Sequence, residues 1–144
     1  MSAEGNEPSD ENKRAEYLDV SNNMRAYGNM RFAQLTLFIA ITAALINLLF
    51  GKDPPASARV TVALKIAGLI IAAVFFIFEE SSTSYWRYYK DRAKALERDL
   101  GFHQYTDKPK RSIPVPATWG ARILLFSALA FWLVSLLFPG MLTR

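Results

Sequence analysis

Three stretches of this sequence are long, apolar and almost free of charge, and they limit the possible folds more than any other feature. They are residues 32–50, 60–78 and 121–138. The first holds no charged residue, the second holds only Lys65, and the third holds only Arg122 near its start. A helix of 19 residues is about 28 Å long, close to the ~30 Å hydrocarbon core of a bilayer. Helices of a soluble bundle need a polar face, so the sequence predicts three transmembrane helices in preference to a soluble bundle.

The composition excludes several kinds of chemistry. The 144 residues include no cysteine and one histidine, which excludes thiol catalysis, iron–sulfur ligation and zinc sites built from cysteines or several histidines. The sequence has no glycine-rich phosphate loop, nucleophile elbow or paired-carboxylate spacing. The predicted spans have no central carboxylate and no inverted repeat, which argues against a transporter. The sequence therefore predicts a non-enzymatic protein that uses no cofactor and no metal ion.

Lysine and arginine are distributed unevenly among the connections. Residues 1–31 and 79–122 together carry thirteen, whereas residues 51–59 and 139–144 together carry three. Cytoplasmic connections of membrane proteins are enriched in these residues. We therefore expect the N-terminus and the 79–122 connection in the cytoplasm and the C-terminus outside. Lys65 lies near the outer end of the second span, and we expect its side chain to reach the outer headgroups.

The first predicted helix extends beyond its membrane span. Residues 1–11 are polar and are predicted to be disordered, and one helix is predicted from about Asp10 to Phe50. Ahead of the span, apolar residues recur at spacings of three, four and three, which places them on one helical face. This face, the N-terminal seam, consists of Tyr17, Val20, Met24 and Tyr27.

The second helix also continues past its span, from about Val60 to Leu100, so that residues 79–100 form a cytoplasmic helix. Its apolar face consists of Tyr85, Tyr89, Ala93, Leu96 and Leu100. The charged residues of this helix, Glu97 among them, are predicted to lie off that face. Gly101 is a helix stop, and three prolines indicate a non-helical connector over residues 101–120. An apolar face in water needs a partner, which is either the N-terminal seam or a further subunit.

Two acidic residues stand where the second span meets the cytoplasm, a place where basic residues are usual. Glu79 and Glu80 lie at the same predicted depth as Arg31 of the first helix and Arg122 of the third. Glu79–Arg31 and Glu80–Arg122 ion pairs are therefore expected. The alternative is a ring of carboxylates at the mouth of a pore.

Small residues on the second span allow close contact between helices. Ala63 and Ala67, and likewise Gly68 and Ala72, are four residues apart, the spacing that lets transmembrane helices approach each other closely. We predict that this small-residue ridge packs against another helix. The partner helix belongs either to the same subunit or to another copy of the chain.

The stretch from Tyr85 to Arg111 is rich in basic and aromatic residues. Such a mixture is compatible with nucleic-acid binding, but the orientation of the spans already accounts for the excess of positive charge. We therefore predict no nucleic-acid partner, and we predict contact with anionic lipid headgroups.

Two runs of sequence resemble a known family. They are RFAQLTLFIAITAAL, after the N-terminal amphipathic helix, and FEESSTSYWRYYKDRAKALERDLGFHQY, at the end of the second span. Over residues 15–138 the chain resembles the RipA family of octameric membrane proteins. The matching residues are Arg31, Phe32, Glu80, Trp86, Arg92, Ala93, Leu96, Glu97, Leu100, Gly101, Gln104 and Tyr105. The resemblance implies a homo-octamer in the bacterial inner membrane, with long helices rising into the cytoplasm. The chain also resembles the SLATT-type effectors, two-span proteins thought to form pores, from which its third span departs.

The predicted fold class is an all-α integral membrane protein with one membrane domain over residues 12–144. It has three transmembrane helices, the first two extended into the cytoplasm as an amphipathic helical crown. The chain is predicted to act as a non-enzymatic, homo-oligomeric, ring-like scaffold of undefined physiological role. The resemblance to the RipA family implies that this scaffold is an octamer. The alternatives are a pore- or channel-forming protein and an accessory subunit of a larger membrane complex. No span carries a continuous polar stripe, which favours the scaffold over the pore.

Overall fold

The computed structural model describes residues 9–52, 57–107 and 117–138, and these residues form three α-helices and no strand. Helix α1 covers Asp10–Phe50, α2 covers Ala58–Leu100 and α3 covers Ala117–Leu137. All three helices are long and apolar enough to cross a membrane. The predicted all-helical fold is confirmed, and the predicted bounds of the two long helices agree with the structure to within two residues.

The start of α1 is set by a serine cap. Ser9 accepts a hydrogen bond from the Asn12 backbone N–H at its side-chain oxygen (3.3 Å), and its carbonyl accepts one from the Lys13 N–H (3.0 Å). Asp10 and Glu11 occupy the first turn, where negative charge complements the helix dipole. The prediction of disorder up to residue 11 was therefore wrong at its last two residues. Residues 1–8 lie outside the described residues.

The end of α2 follows the predicted stop. Gly101 has a positive φ of 71°, a conformation that glycine adopts without steric cost. The Phe102 N–H then donates to the Glu97 carbonyl at 3.0 Å, which is the closing hydrogen bond of a Schellman motif.

The start of α3 corrects a prediction. The connector was predicted to remain non-helical to residue 120, but α3 begins at Ala117. Proline restricts its own position and the residue before it, so a helix is free to begin directly after Pro116. Residues 108–116 of the predicted connector lie outside the described residues.

The contacts divide the chain into two compact units. The first unit combines Met1–Asn29 with Thr83–Ser112, and the second combines Met30–Ser82 with Ile113–Arg144. The core of the first unit is formed by Tyr17, Val20, Met24, Ala93 and Leu96. The core of the second unit is formed by Phe38, Leu49, Ala72, Leu125 and Trp132. The first core therefore lies between α1 and α2, and the second core lies among all three helices.

Candidate functional site

Both predicted ion pairs are present in the second unit. Arg31 of α1 donates to Glu79 through Nε, at 3.2 Å from Oε2, and through Nη2. Arg122 of α3 donates to Glu80 through Nε at 2.6 Å and Nη2 at 2.8 Å. Each arginine therefore binds its carboxylate in the two-point geometry that gives the strongest and most directional charge pairing.

The two carboxylates hold three helices in register. Successive residues of a helix point about 100° apart, so Glu79 faces α1 while Glu80 faces α3. Glu79 is buried and Glu80 is half-buried, and breaking a buried pair leaves a charge without compensation. Nearby, the Ser82 hydroxyl lies 3.3 Å from the Gln34 side-chain oxygen and adds a link between α1 and α2. The arrangement fixes the rotation and height of each helix in this unit.

Lys65 lies in a different environment from the predicted one. Its side chain is buried, and Nζ donates to the Ser135 carbonyl oxygen at 2.7 Å. Ser135 is in the last turn of α3, where carbonyl groups lack partners within the helix and the helix dipole is negative. The prediction that Lys65 reaches outward to headgroups was therefore wrong, because the C-terminal end of α3 offers the cation an acceptor inside the unit.

The small-residue ridge divides into two parts. Gly68 and Ala72 are buried, and Gly68 packs against the indole of Trp132, to which a Cβ at Gly68 would come within 2.4 Å. Ala63 is exposed and Ala67 is half-buried. The partner of the ridge was predicted to be a helix of the same subunit or of another copy. Gly68 and Ala72 pack within the same chain, because the large Trp132 side chain of α3 fills the space beside the glycine.

The predicted seam of the first unit is largely in place. Tyr17, Val20 and Met24 pack with Leu96, and Leu100 and Tyr89 lie at the edge of this cluster. The Tyr27 ring stacks on the Tyr85 ring with centroids 5.4 Å apart. Tyr85 nevertheless remains 52% exposed, so it borders the core and does not fill it.

Glu97 is the central polar group of the first unit, and the prediction that it lies off the packed face was wrong. Its side chain is fully buried. Oε1 accepts from the Tyr17 hydroxyl (2.9 Å) and the Tyr105 N–H (2.8 Å). Oε2 accepts from the Thr106 N–H (2.8 Å) and hydroxyl (2.6 Å). One carboxylate thus binds the turn after α2 to the beginning of α1.

These contacts shift two pKa values. Burial raises the pKa of the Glu97 carboxyl, but its hydrogen bonds from Thr106, Tyr105 and Tyr17 outweigh burial, so the net pKa is lowered. Burial, and then the bond to Glu97, raises the pKa of Tyr17 to about 12. Glu97 is therefore ionised and Tyr17 is protonated at neutral pH, which is the combination that their hydrogen bond requires.

Two partly exposed ion pairs supplement the Glu97 network in the same unit. Arg92 donates to Glu16 through two nitrogens at 2.6 and 2.8 Å, and hydrogen bonding to Arg92 lowers the pKa of Glu16. Lys13 Nζ lies 3.7 Å from Asp99 Oδ2. Both pairs connect α1 with α2, although exposed pairs contribute only about 0–1 kcal/mol each.

Comparison with known proteins adds no assignment. No family model, no curated protein and no solved structure matches the chain. Within residues 9–52, 57–107 and 117–138, no cluster of three or more metal-ligating side chains occurs. The resemblance to the RipA family stays a prediction.

Proposed function

We propose that this chain is a multi-pass protein of the bacterial inner membrane that assembles with copies of itself into a non-enzymatic scaffold. One observation carries the membrane part of this proposal. Only 11% of the most apolar window of α1 and 17% of those of α2 and α3 is buried inside the chain. The remaining apolar surface is far larger than a water-soluble monomer exposes, and lipid is the solvent that suits it.

The proposed orientation follows the positive charges. The N-terminus and the connection between α2 and α3 lie in the cytoplasm, together with the Glu97 network, and the C-terminus lies outside. The first unit is then the amphipathic helical crown. Arg31, Glu79, Glu80 and Arg122 lie at the cytoplasmic membrane surface, where lysines and arginines of the crown contact anionic headgroups. Because both carboxylates are engaged by arginines of the same chain, their role in this proposal is structural and not that of a pore mouth.

Self-assembly is supported by the first unit. Among the described residues of this unit, the core contains five buried apolar side chains, which is few for a unit that stands in water. It also exposes large apolar side chains, namely Leu18, Tyr85, Tyr88 and Phe102. Neighbouring copies in a ring would cover these side chains, and the resemblance to the RipA family suggests eight copies. No nucleic acid enters the proposal.

The orientation can be tested with reporter fusions in a bacterial inner membrane. Fusions after Gly51 and after Arg144 should report an external location, and a fusion after Gln104 should report a cytoplasmic one. The physical basis is the thirteen-to-three bias of lysine and arginine. An external signal from the Gln104 fusion would contradict the proposed orientation, and recovery of the unfused chain in the soluble fraction would contradict the membrane assignment itself.

A further inference from the structure

One face of α2 carries a regular ridge of β-branched side chains. Val62, Ile66, Ile70 and Val74 follow one another at intervals of four residues and are between 39% and 57% exposed. In a helix each valine or isoleucine has one dominant χ1 rotamer. The ridge is therefore stiff before any contact, and docking costs it little side-chain entropy. We call this surface the α2 ridge.

The second unit also contains a groove between α1 and α3. Its walls follow the same helical spacing on both sides, and its middle is lined by small side chains. The lining residues are Phe38, Ile39, Thr42, Ala43 and Ile46 of α1 and Leu124, Ser127, Ala128 and Phe131 of α3. The groove has a volume of about 330 Å³, roughly twice the ~150 Å³ of a cavity that accommodates benzene. It therefore has room for about two side chains of another helix.

The ridge and the groove lie at the same depth along the helices. The rings of Phe38 and Phe75 are in contact, with centroids 5.4 Å apart, so these residues mark one level on α1 and α2. Ala43 lies five residues beyond Phe38, and Ile70 lies five residues before Phe75. Because each step adds about 1.5 Å, both lie about 7.5 Å from the common level. Copies held in one membrane in the same orientation can therefore bring Ile70 opposite Ala43 without sliding.

We infer that the α2 ridge of one copy docks into the α1–α3 groove of the next copy. This inference rests on the proposed self-assembly and specifies its interface. Interlocking a ridge with a groove is the usual packing of helices, and small residues in the groove allow the close approach on which association in lipid depends. Different helices form the two surfaces, so the contact is heterologous, and a closed set of such contacts between equally oriented copies is a ring.

The chain contains no cysteine, so disulfide trapping tests this inference on an otherwise native protein. The variant Ala43→Cys/Ile70→Cys should form a ladder of multimers when native membranes are treated with an oxidant. A mixture of chains that carry only Ala43→Cys or only Ile70→Cys should stop at dimers, and either variant alone should remain monomeric. A second pair, Val74→Cys with Ala128→Cys, should behave like the first.

The matched control moves one cysteine by a single residue. Ala44 is exposed and points about 100° away from its neighbour Ala43, out of the groove, so Ala44→Cys/Ile70→Cys should stay monomeric.

Dimers of Ile70→Cys alone would overturn the inference in favour of symmetric α2–α2 contact. The inference would also be overturned if both cysteine pairs gave no more crosslinked multimer than the control, which is the result expected if lipid chains fill the groove. In that case the native mass of the unmodified chain shows whether this interface alone or self-assembly as a whole is refuted. A large assembly without crosslinks refutes only this interface, whereas a monomer refutes the proposed self-assembly as well.

Discussion

Replacing Gly68 by leucine should disrupt the packing of α2 against α3 and destabilise the protein. Even the first carbon of a new side chain would lie 2.4–2.7 Å from three atoms of the Trp132 ring. The indole is fully buried and cannot move aside. Overpacking of this kind costs about 1–3 kcal/mol. We expect Gly68→Ala to lower the melting temperature of the purified protein in mild detergent by several degrees, and Gly68→Leu to lower it further or to prevent purification.

Two variants determine whether the effect belongs to this contact. No described residue lies within 4 Å of a Cβ placed on Gly28, so Gly28→Ala should leave stability unchanged or raise it by up to about 1 kcal/mol, because alanine favours the helix. Gly68→Ala combined with Trp132→Phe should recover much of the lost stability, since phenylalanine is smaller and the Trp132 Nε1 has no hydrogen-bond partner among the described residues. A melting temperature unaffected by Gly68→Leu would contradict the described packing.

Replacing Glu97 by glutamine should release the turn that follows α2. The glutamine amide group would face backbone N–H donors of Tyr105 or Thr106, and a buried donor without an acceptor costs about 1–3 kcal/mol. Amide hydrogen exchange of residues 101–107 should therefore become about ten- to a hundredfold faster at neutral pH, since 1.4 kcal/mol corresponds to a factor of ten. Asp99→Asn is the matched control. This carboxylate is 53% exposed and pairs with Lys13 at 3.7 Å, a surface contact that contributes about 0–1 kcal/mol, so Asp99→Asn should accelerate exchange of residues 101–107 much less than Glu97→Gln.

The same carboxylate predicts a direction for pH dependence. The pKa of Glu97 in the folded protein lies below its ordinary value of 4.5. Its contribution to stability is therefore fully present above pH 4.5 and decreases as the pH falls through the lower, folded-state value. Protection of residues 101–107, corrected for intrinsic exchange, should fall below pH 4.5 in the wild-type chain and change less in Glu97→Gln. Equal pH profiles in the two proteins would contradict the assignment of this network to Glu97.

Local rules were sufficient to predict the helices. The boundaries of α1 and α2 follow from apolar periodicity, uninterrupted by proline, and from the stop at Gly101. The ion pairs were predictable because Arg31, Glu79, Glu80 and Arg122 follow or precede apolar runs of similar length, which places them at one height. These features depend only on a residue's position along its helix, which can be counted from the sequence.

Features that depend on contacts between helices were missed. Glu97 was predicted to lie at the surface because the donors that make its burial possible are not its neighbours on the helix. Its carboxylate oxygens accept hydrogen bonds from the turn after α2 and from Tyr17, which is eighty residues away. Its place three residues before the Leu100–Gly101 stop was the available signal. Lys65 and Gly68 depend on α3, whose Ser135 carbonyl and Trp132 ring reach them only after packing. Helical spacing within α2 identified Gly68 as a contact residue but did not identify its partner.

Self-assembly of this chain in a membrane can be measured as the mass of the extracted particle. The full-length protein should be extracted from bacterial membranes in a mild detergent and its mass measured under native conditions. We predict one polypeptide in a single closed species of six or more copies, with eight favoured by the family resemblance. A monomer or dimer under these conditions, or an assembly that always contains a second polypeptide, would contradict it.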